Sequence, residues 1–162
     1  MNLTNKINSV LASLAKRDNI NQLQLNEQGC AGLKLTDQRT LFFELNIRQR
    51  QLLIYTPVLN LSEYERILPQ IYERLLKHNS TCFRGRFALD PYGIQVLVQS
   101  HFDAENITVE QLDKTIDQLL AQRQYMMDEL QQLSANRNPN SSVYPHESFL
   151  TVTRQITGSG YA

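Results

Sequence analysis

Cysteine is nearly absent. Cys30 and Cys82 stand far apart and fit neither a metal-ligand spacing nor a CxxC redox pair. They read as reduced, structural thiols. Long apolar runs are missing too: none approaches the ~18 residues that a membrane-crossing helix needs, which argues against helical membrane insertion. The first 25 residues carry charges throughout and show no signal peptide, so a cytoplasmic protein is expected. Glycine-rich phosphate loops are lacking, because Gly85 and Gly93 flank single strands and Gly158-Ser159-Gly160 lies near the end of the chain.

Acid–base groups are sparse where catalysis would need them. Only His78, His101 and His146 are available. A Cys82–His78 nucleophile pair is conceivable at a helix end and the following strand, yet nothing orients it or supplies an oxyanion hole. Glu63 and Glu65 read as helix-start residues, and Asp128 and Glu129 as an exposed helix face. The expectation is a protein that is not an enzyme and holds no metal or cofactor.

Net charge is zero, but unevenly laid out. Residues 1–89 carry 12 basic and 7 acidic groups, and residues 90–133 carry 2 and 8. Arg39, Arg48, Arg50, Arg84 and Arg86 at strand ends make nucleic-acid binding the alternative function, although aromatic residues for base stacking are not interleaved with them.

What is present is a sequence of hydrophobic periods. With 162 residues, 41% hydrophobic and 20% charged, the chain suits one globular domain. Leu3, Ile7, Val10, Leu11 and Leu14 fall at helical spacing, and the helix stops near Asp18-Asn19. Leu23 and Leu25 alternate with polar neighbours before a turn at Asn26 to Gly29. Strands follow at Ala31 to Leu35, Thr40 to Asn46 (Leu41, Phe43 and Leu45 on one face, Phe42 and Glu44 on the other) and Leu52 to Thr56, the last ended by Pro57. Asp37-Gln38-Arg39 supplies a turn between the first two, and short connections make these strands an antiparallel meander.

Ser62 and Glu65 form a capping-box pattern ahead of a helix that runs to about His78, with Pro69 predicting a kink or a delayed start. Phe83, Phe87 and Leu89 then face Ile94, Val96, Val98 and Phe102 across Asp90-Pro91-Tyr92-Gly93, a hairpin turn. Thr108 and Gln111 cap a long helix through Leu133. The expected fold is α+β: helix, β-meander, helix, β-hairpin and long helix, with helices packed on a twisted antiparallel sheet. Residues 1–133 form the domain, and 134–162, rich in Ser, Asn, Pro and Gly at its start, a flexible tail.

Leu75-Leu76-Lys77-His78-Asn79, followed by Phe87-Ala88-Leu89-Asp90-Pro91-Tyr92-Gly93-Ile94 and the apolar strand to Phe102, resembles the central signature of the class I chaperones of bacterial type III secretion, the family that includes the Tir chaperone. The acidic helix Asp113 to Glu129 and the early strands also fall in the expected places, so the resemblance covers about residues 3–133. It departs from the usual acidic character of the family, because the first 89 residues are basic. The resemblance implies a cytoplasmic homodimer that binds the N-terminal region of one or more secreted effector proteins in extended form. It implies no cofactor, and it brings the secretion ATPase in as a further partner.

Carried over by position, effector contacts fall on Leu3, Ile7, Leu11, Leu33, Phe42 and Leu53. Dimer contacts fall on Ile67, Ile71, Leu75, Arg84 and Arg86. An effector strand added to an exposed sheet edge is a second expected mode of binding.

Overall fold

The computed structural model describes residues 2–35, 39–82 and 85–135. Helix α1 spans Leu3–Arg17. Its first turn is capped by Asn2, whose side chain accepts from the Thr4 N–H. Its Ile7, Leu11 and Leu14 are wholly buried. Asp18 closes the helix, and Asn19 follows with φ 55°, a left-handed conformation that asparagine tolerates and that turns the chain out of the helix.

The alternation at Leu23 and Leu25 does bury both side chains, but it builds no strand. The Leu25 N–H goes instead to the Asn8 side chain of α1, at 2.8 Å. The turn at Asn26 forms as its sequence predicts. The Asn26 carboxamide accepts from the Gln28 and Cys30 N–H groups, and Gly29 takes φ 80°. A side chain at Gly29 would also press on the Leu45 carbonyl oxygen, 3.1 Å from an added Cβ.

Strands β1 (Cys30–Lys34), β2 (Thr40–Asn46) and β3 (Gln51–Asn60) form the antiparallel meander. The β1–β2 turn at Asp37 and Gln38 lies outside the described residues. Contrary to expectation, β3 does not stop at Pro57. Past Tyr55 it has left the register of β2, so the N–H that proline lacks is not demanded there, and the irregularity between Pro57 and Leu59 absorbs the misfit. The Pro57 carbonyl accepts from Arg123 Nε at 2.8 Å.

Two short 3-10 turns, Leu61–Glu63 and Glu65–Ile67, precede α2 (Leu68–Thr81). The Ser62/Glu65 capping box does not form, because Asn60 captures the Ser62 N–H and hydroxyl. The delayed start is the outcome: Pro69 occupies the first turn of α2, where no N–H is needed, and no kink is required. α2 continues three residues beyond His78.

Strands β4 (Arg86–Leu89) and β5 (Gln95–Asp103) pair across the Asp90 to Gly93 turn. Asp90 accepts from the Ile94 and Gln95 N–H groups, and Gly93 has φ 68°. Phe87 opposes Val98, but Leu89 and Ile94 at the hairpin tip are exposed rather than packed. Phe83 lies outside the described residues. The sheet order is β1-β2-β3-β5-β4, so the hairpin joins β3 through its second strand and leaves β4 as an edge.

Helix α3 (Val109–Ala135) opens with the expected reciprocal cap between Thr108 and Gln111. It lies over β3 and β5 and meets α1, where Arg17 pairs with Asp113 at 2.6 Å. One sheet face, carrying Leu33, Leu41, Phe43, Leu52, Ile54 and Val98, is buried with the apolar stripes of all three helices in a common core. The opposite face carries no helix among the described residues, and that asymmetry positions the site.

Candidate functional site

On the uncovered face the strand registers bring Cys30 opposite Glu44, Gly32 opposite Phe42, Phe42 opposite Tyr55, and Leu53 between Glu44 and His101. All of these side chains are half-buried or exposed, as strict alternation requires of the face that the core does not use. The Phe42 and Tyr55 rings stack at 5.1 Å between centroids and 21° between planes. Gly32 lies next to this pair with no side chain of its own, which leaves the aromatic plate open.

Tyr55 donates its hydroxyl to Glu44 Oε1 at 2.6 Å. Burial, followed by the hydrogen bond to the Glu44 carboxylate, pushes the Tyr55 phenol well above its ordinary value. The phenol therefore stays protonated and holds the carboxylate in place. Burial, with the Glu44 charge second, also raises the Cys30 thiol. A cavity of about 460 Å³ opens beside this cluster, with Cys30, Glu44, Leu53, Arg48 and His101 in its wall.

The two sheet edges are unlike. On β4, the Asn79 side chain of α2 accepts from the Phe87 N–H at 2.8 Å and donates to the Phe87 carbonyl at 2.9 Å. One carboxamide thus satisfies the outward backbone groups of Phe87 and blunts that edge. On β1, Gly29 accepts from Leu45 and Leu35 donates to Arg39, so the odd-numbered residues face β2. Gly32 and Lys34 consequently direct their backbone groups away from β2.

Of the effector-contact residues expected from sequence, Phe42 and Leu53 are brought together on the uncovered face, and Leu3 sits half-buried at the rim of the core. Ile7, Leu11 and Leu33 are not available: they are packed inside, at 0–2% exposure. A helical stripe reads the same from sequence whether the chain's own sheet or another protein covers it. Ile67, Ile71 and Leu75, expected at a dimer contact, likewise fill the core beneath α2. Arg86 is exposed on the edge strand, and Arg84 lies outside the described residues. The apolar side chains that α2 does present outward are Tyr72 and Leu76, the latter 68% exposed.

Glu44 and Tyr55 carried no weight as site residues in the sequence. Their alternation placed them off the core face, but the bond between them depends on the β2–β3 register.

The arginines proposed for nucleic acid do not form one surface. Arg39 and Arg48 stand at opposite ends of β2, about 20 Å apart along a strand of this length. Arg50 pairs with Glu105 at 2.7 Å, and Arg86 is on the far edge. The Cys82–His78 pair is also not assembled. The Cys82 sulfur accepts from Gln122 Nε2, while the His78 ring packs edge-on against Phe87 and beside Tyr125.

Three helices on a five-stranded antiparallel sheet make an α+β fold that matches solved secretion chaperones. The structure in the ExsC–ExsE complex has a TM-score of 0.61 at 24% identity, over 77% of this chain and 93% of that one. The HopA1–SchA chaperone–effector complex gives 0.64 at 13%, over 76% and 94%. The Yersinia pestis type III secretion chaperone SycH, solved with a fragment of YscM2, gives 0.57 at 17%, over 74% and 98%. At these identities the likeness is one of fold.

The Tir chaperone protein (CesT) family matches residues 9–127, and the chain belongs to that family. No curated protein matches it. No described helix is long and apolar enough to cross a membrane.

Proposed function

We propose that this protein is a cytoplasmic type III secretion chaperone that holds the N-terminal region of one or more effectors in extended form, soluble and ready for export. The unit that does so is the domain over residues 1–133, which contains the family match over residues 9–127. The observation that carries the reading is the aromatic plate of Phe42 and Tyr55 on a sheet face that no described helix covers. Support also comes from the family and from structural neighbours that are chaperone–effector complexes.

Extended effector backbone adds to β1 at Gly32 and Lys34, and its apolar side chains lie on Phe42, Tyr55 and Leu53, with Leu3 at the margin. Backbone pairing tolerates varied sequences, while the plate selects bulky apolar groups. Ordering a segment of about 30 residues costs roughly 45 kcal/mol, which needs nearly 2,000 Å² of apolar burial to offset. A second copy supplies the missing surface. It docks on the outward stripe of α2 at Tyr72 and Leu76, next to the blunted β4 edge, so the two copies join through side chains rather than a continuous sheet. Release belongs to the secretion ATPase.

The test is co-expression of the full chain with secreted proteins of the same cell. Recovery of a complex that maps to an effector N-terminal segment, lost in Phe42→Asp while that variant still unfolds in one cooperative thermal transition, supports the proposal. A Phe42→Asp variant that folds and still holds its effector would overturn the assignment of this face.

A further inference from the structure

Glu44 is a half-buried carboxylate set among apolar and aromatic groups: Cys30 on one side, Leu53 on the other, and the Phe42–Tyr55 stack beside it. One of its oxygens is committed to the Tyr55 hydroxyl. It makes no ion pair with any described residue, although carboxylates elsewhere on the surface, such as Asp113, Glu105 and Glu129, do pair with arginines. Arg48, in the wall of the same cavity, makes no ion pair with it either. A carboxylate that has given up part of its hydration without gaining a cation is an unsettled charge, and a cation delivered by a partner would offset that loss. The setting also selects among cations. A stacked aromatic pair beside a carboxylate suits a planar guanidinium, which can lie on a ring face while donating to an oxygen, better than a compact ammonium.

We propose that Glu44 receives an arginine side chain from the effector segment bound on the open face, with the guanidinium donating to the free carboxylate oxygen and resting against Tyr55. This rests on the effector-binding reading above and adds to it a chemical requirement on the client: an arginine flanked by apolar residues in extended chain. The cavity of about 460 Å³ beside Glu44 takes the side chain's stem and head. Arg48 on its rim disfavours a second basic residue at the adjacent position and favours an acidic or polar one.

Three short synthetic peptides test this with the full-length chain, each alternating leucine and serine around one central residue: arginine, its neutral isostere citrulline, or glutamate. The expected result is that the arginine peptide binds about tenfold more tightly than the citrulline peptide, as charge-assisted hydrogen bonds to a carboxylate provide. In Glu44→Gln, which keeps an oxygen for the Tyr55 hydroxyl, the two peptides should bind alike with the melting temperature unchanged. Glu44→Lys should prefer the glutamate peptide, which guards against reading a folding defect as a binding effect. Equal binding of arginine and citrulline to the unaltered protein, with both lost in Phe42→Asp, overturns the arginine requirement and leaves the open-face reading standing. Binding of neither peptide, or binding indifferent to Phe42→Asp, overturns both.

Discussion

Two neighbouring phenylalanines mark the difference between the two faces of the sheet. Phe43 points into the core and is fully buried beneath helices of its own chain, while Phe42 points the other way and stacks on Tyr55 in the open. Both sit in one strand of bulky residues, and neither differs from the other in hydrophobicity. What separates them is that α1, α2 and α3 all pack on the same side. The first face spends its apolar surface on stability. The second retains apolar surface, a carboxylate with no cation beside it among the described residues, and a cavity, which is surface available to another molecule.

The largest test of that contrast is Phe43→Ala, expected to lower unfolding free energy by about 3–5 kcal/mol through lost burial and a cavity, as read by chemical denaturation. Its counterpart Phe42→Ala should cost only about 1 kcal/mol, the stacking and partial burial, while weakening effector capture much more than Phe43→Ala does in the folded fraction. Equal destabilisation by the two substitutions would mean that the open face is not open.

The contrast between the edges is next in size. Asn79→Ala removes both bonds to Phe87 and should cost about 2 kcal/mol, with self-association through β4 appearing as protein concentration rises in sedimentation velocity. Leu76→Asp should change stability by no more than about 0.5 kcal/mol, because that side chain is exposed, yet should abolish the proposed dimer in light scattering.

The smallest expected effect is on pH dependence. Burial alone depresses the His78 imidazole below its ordinary value of 6.5, so folding favours the neutral ring between Phe87 and Tyr125. Arg74 and Lys77 on α2 and Glu129 on α3 share its surroundings, and Glu129 is already paired with Arg74. The contribution of His78 is therefore present above pH 6.5 and is lost as pH falls through the lower folded value. Melting temperatures of the unaltered protein and His78→Gln should converge on acidification. A gap that widens instead would reverse the sign of this argument.

Much of the fold was legible because its signals are local. The Thr108/Gln111 cap, the Asp90 to Gly93 turn and the delayed start of α2 at Pro69 each depend on a few adjacent residues and on backbone geometry that those residues dictate. The Ser62/Glu65 pattern failed for an equally local reason: Asn60 competed for the same N–H and won. Pro57 misled because its meaning depends on whether a neighbouring strand asks for its missing donor, and that is a matter of register. Six of the eleven expected contact residues lie in the chain's own core for a different reason. Ile7, Leu11, Leu33, Ile67, Ile71 and Leu75 are apolar and periodic, which sequence reports faithfully, but periodicity does not say what covers the stripe.

The sequence by itself therefore determined the order and kind of the elements, the turns that join them, and a likeness to the type III secretion chaperones that family membership bears out. The tertiary structure alone decided which apolar faces the chain keeps for itself, which edge Asn79 closes, and that Glu44 meets Tyr55 but no cation among the described residues. The physical reason is range. Capping, turn geometry and period act over a few residues, whereas burial and cross-strand pairing are properties of surfaces that exist only once distant segments have been brought together.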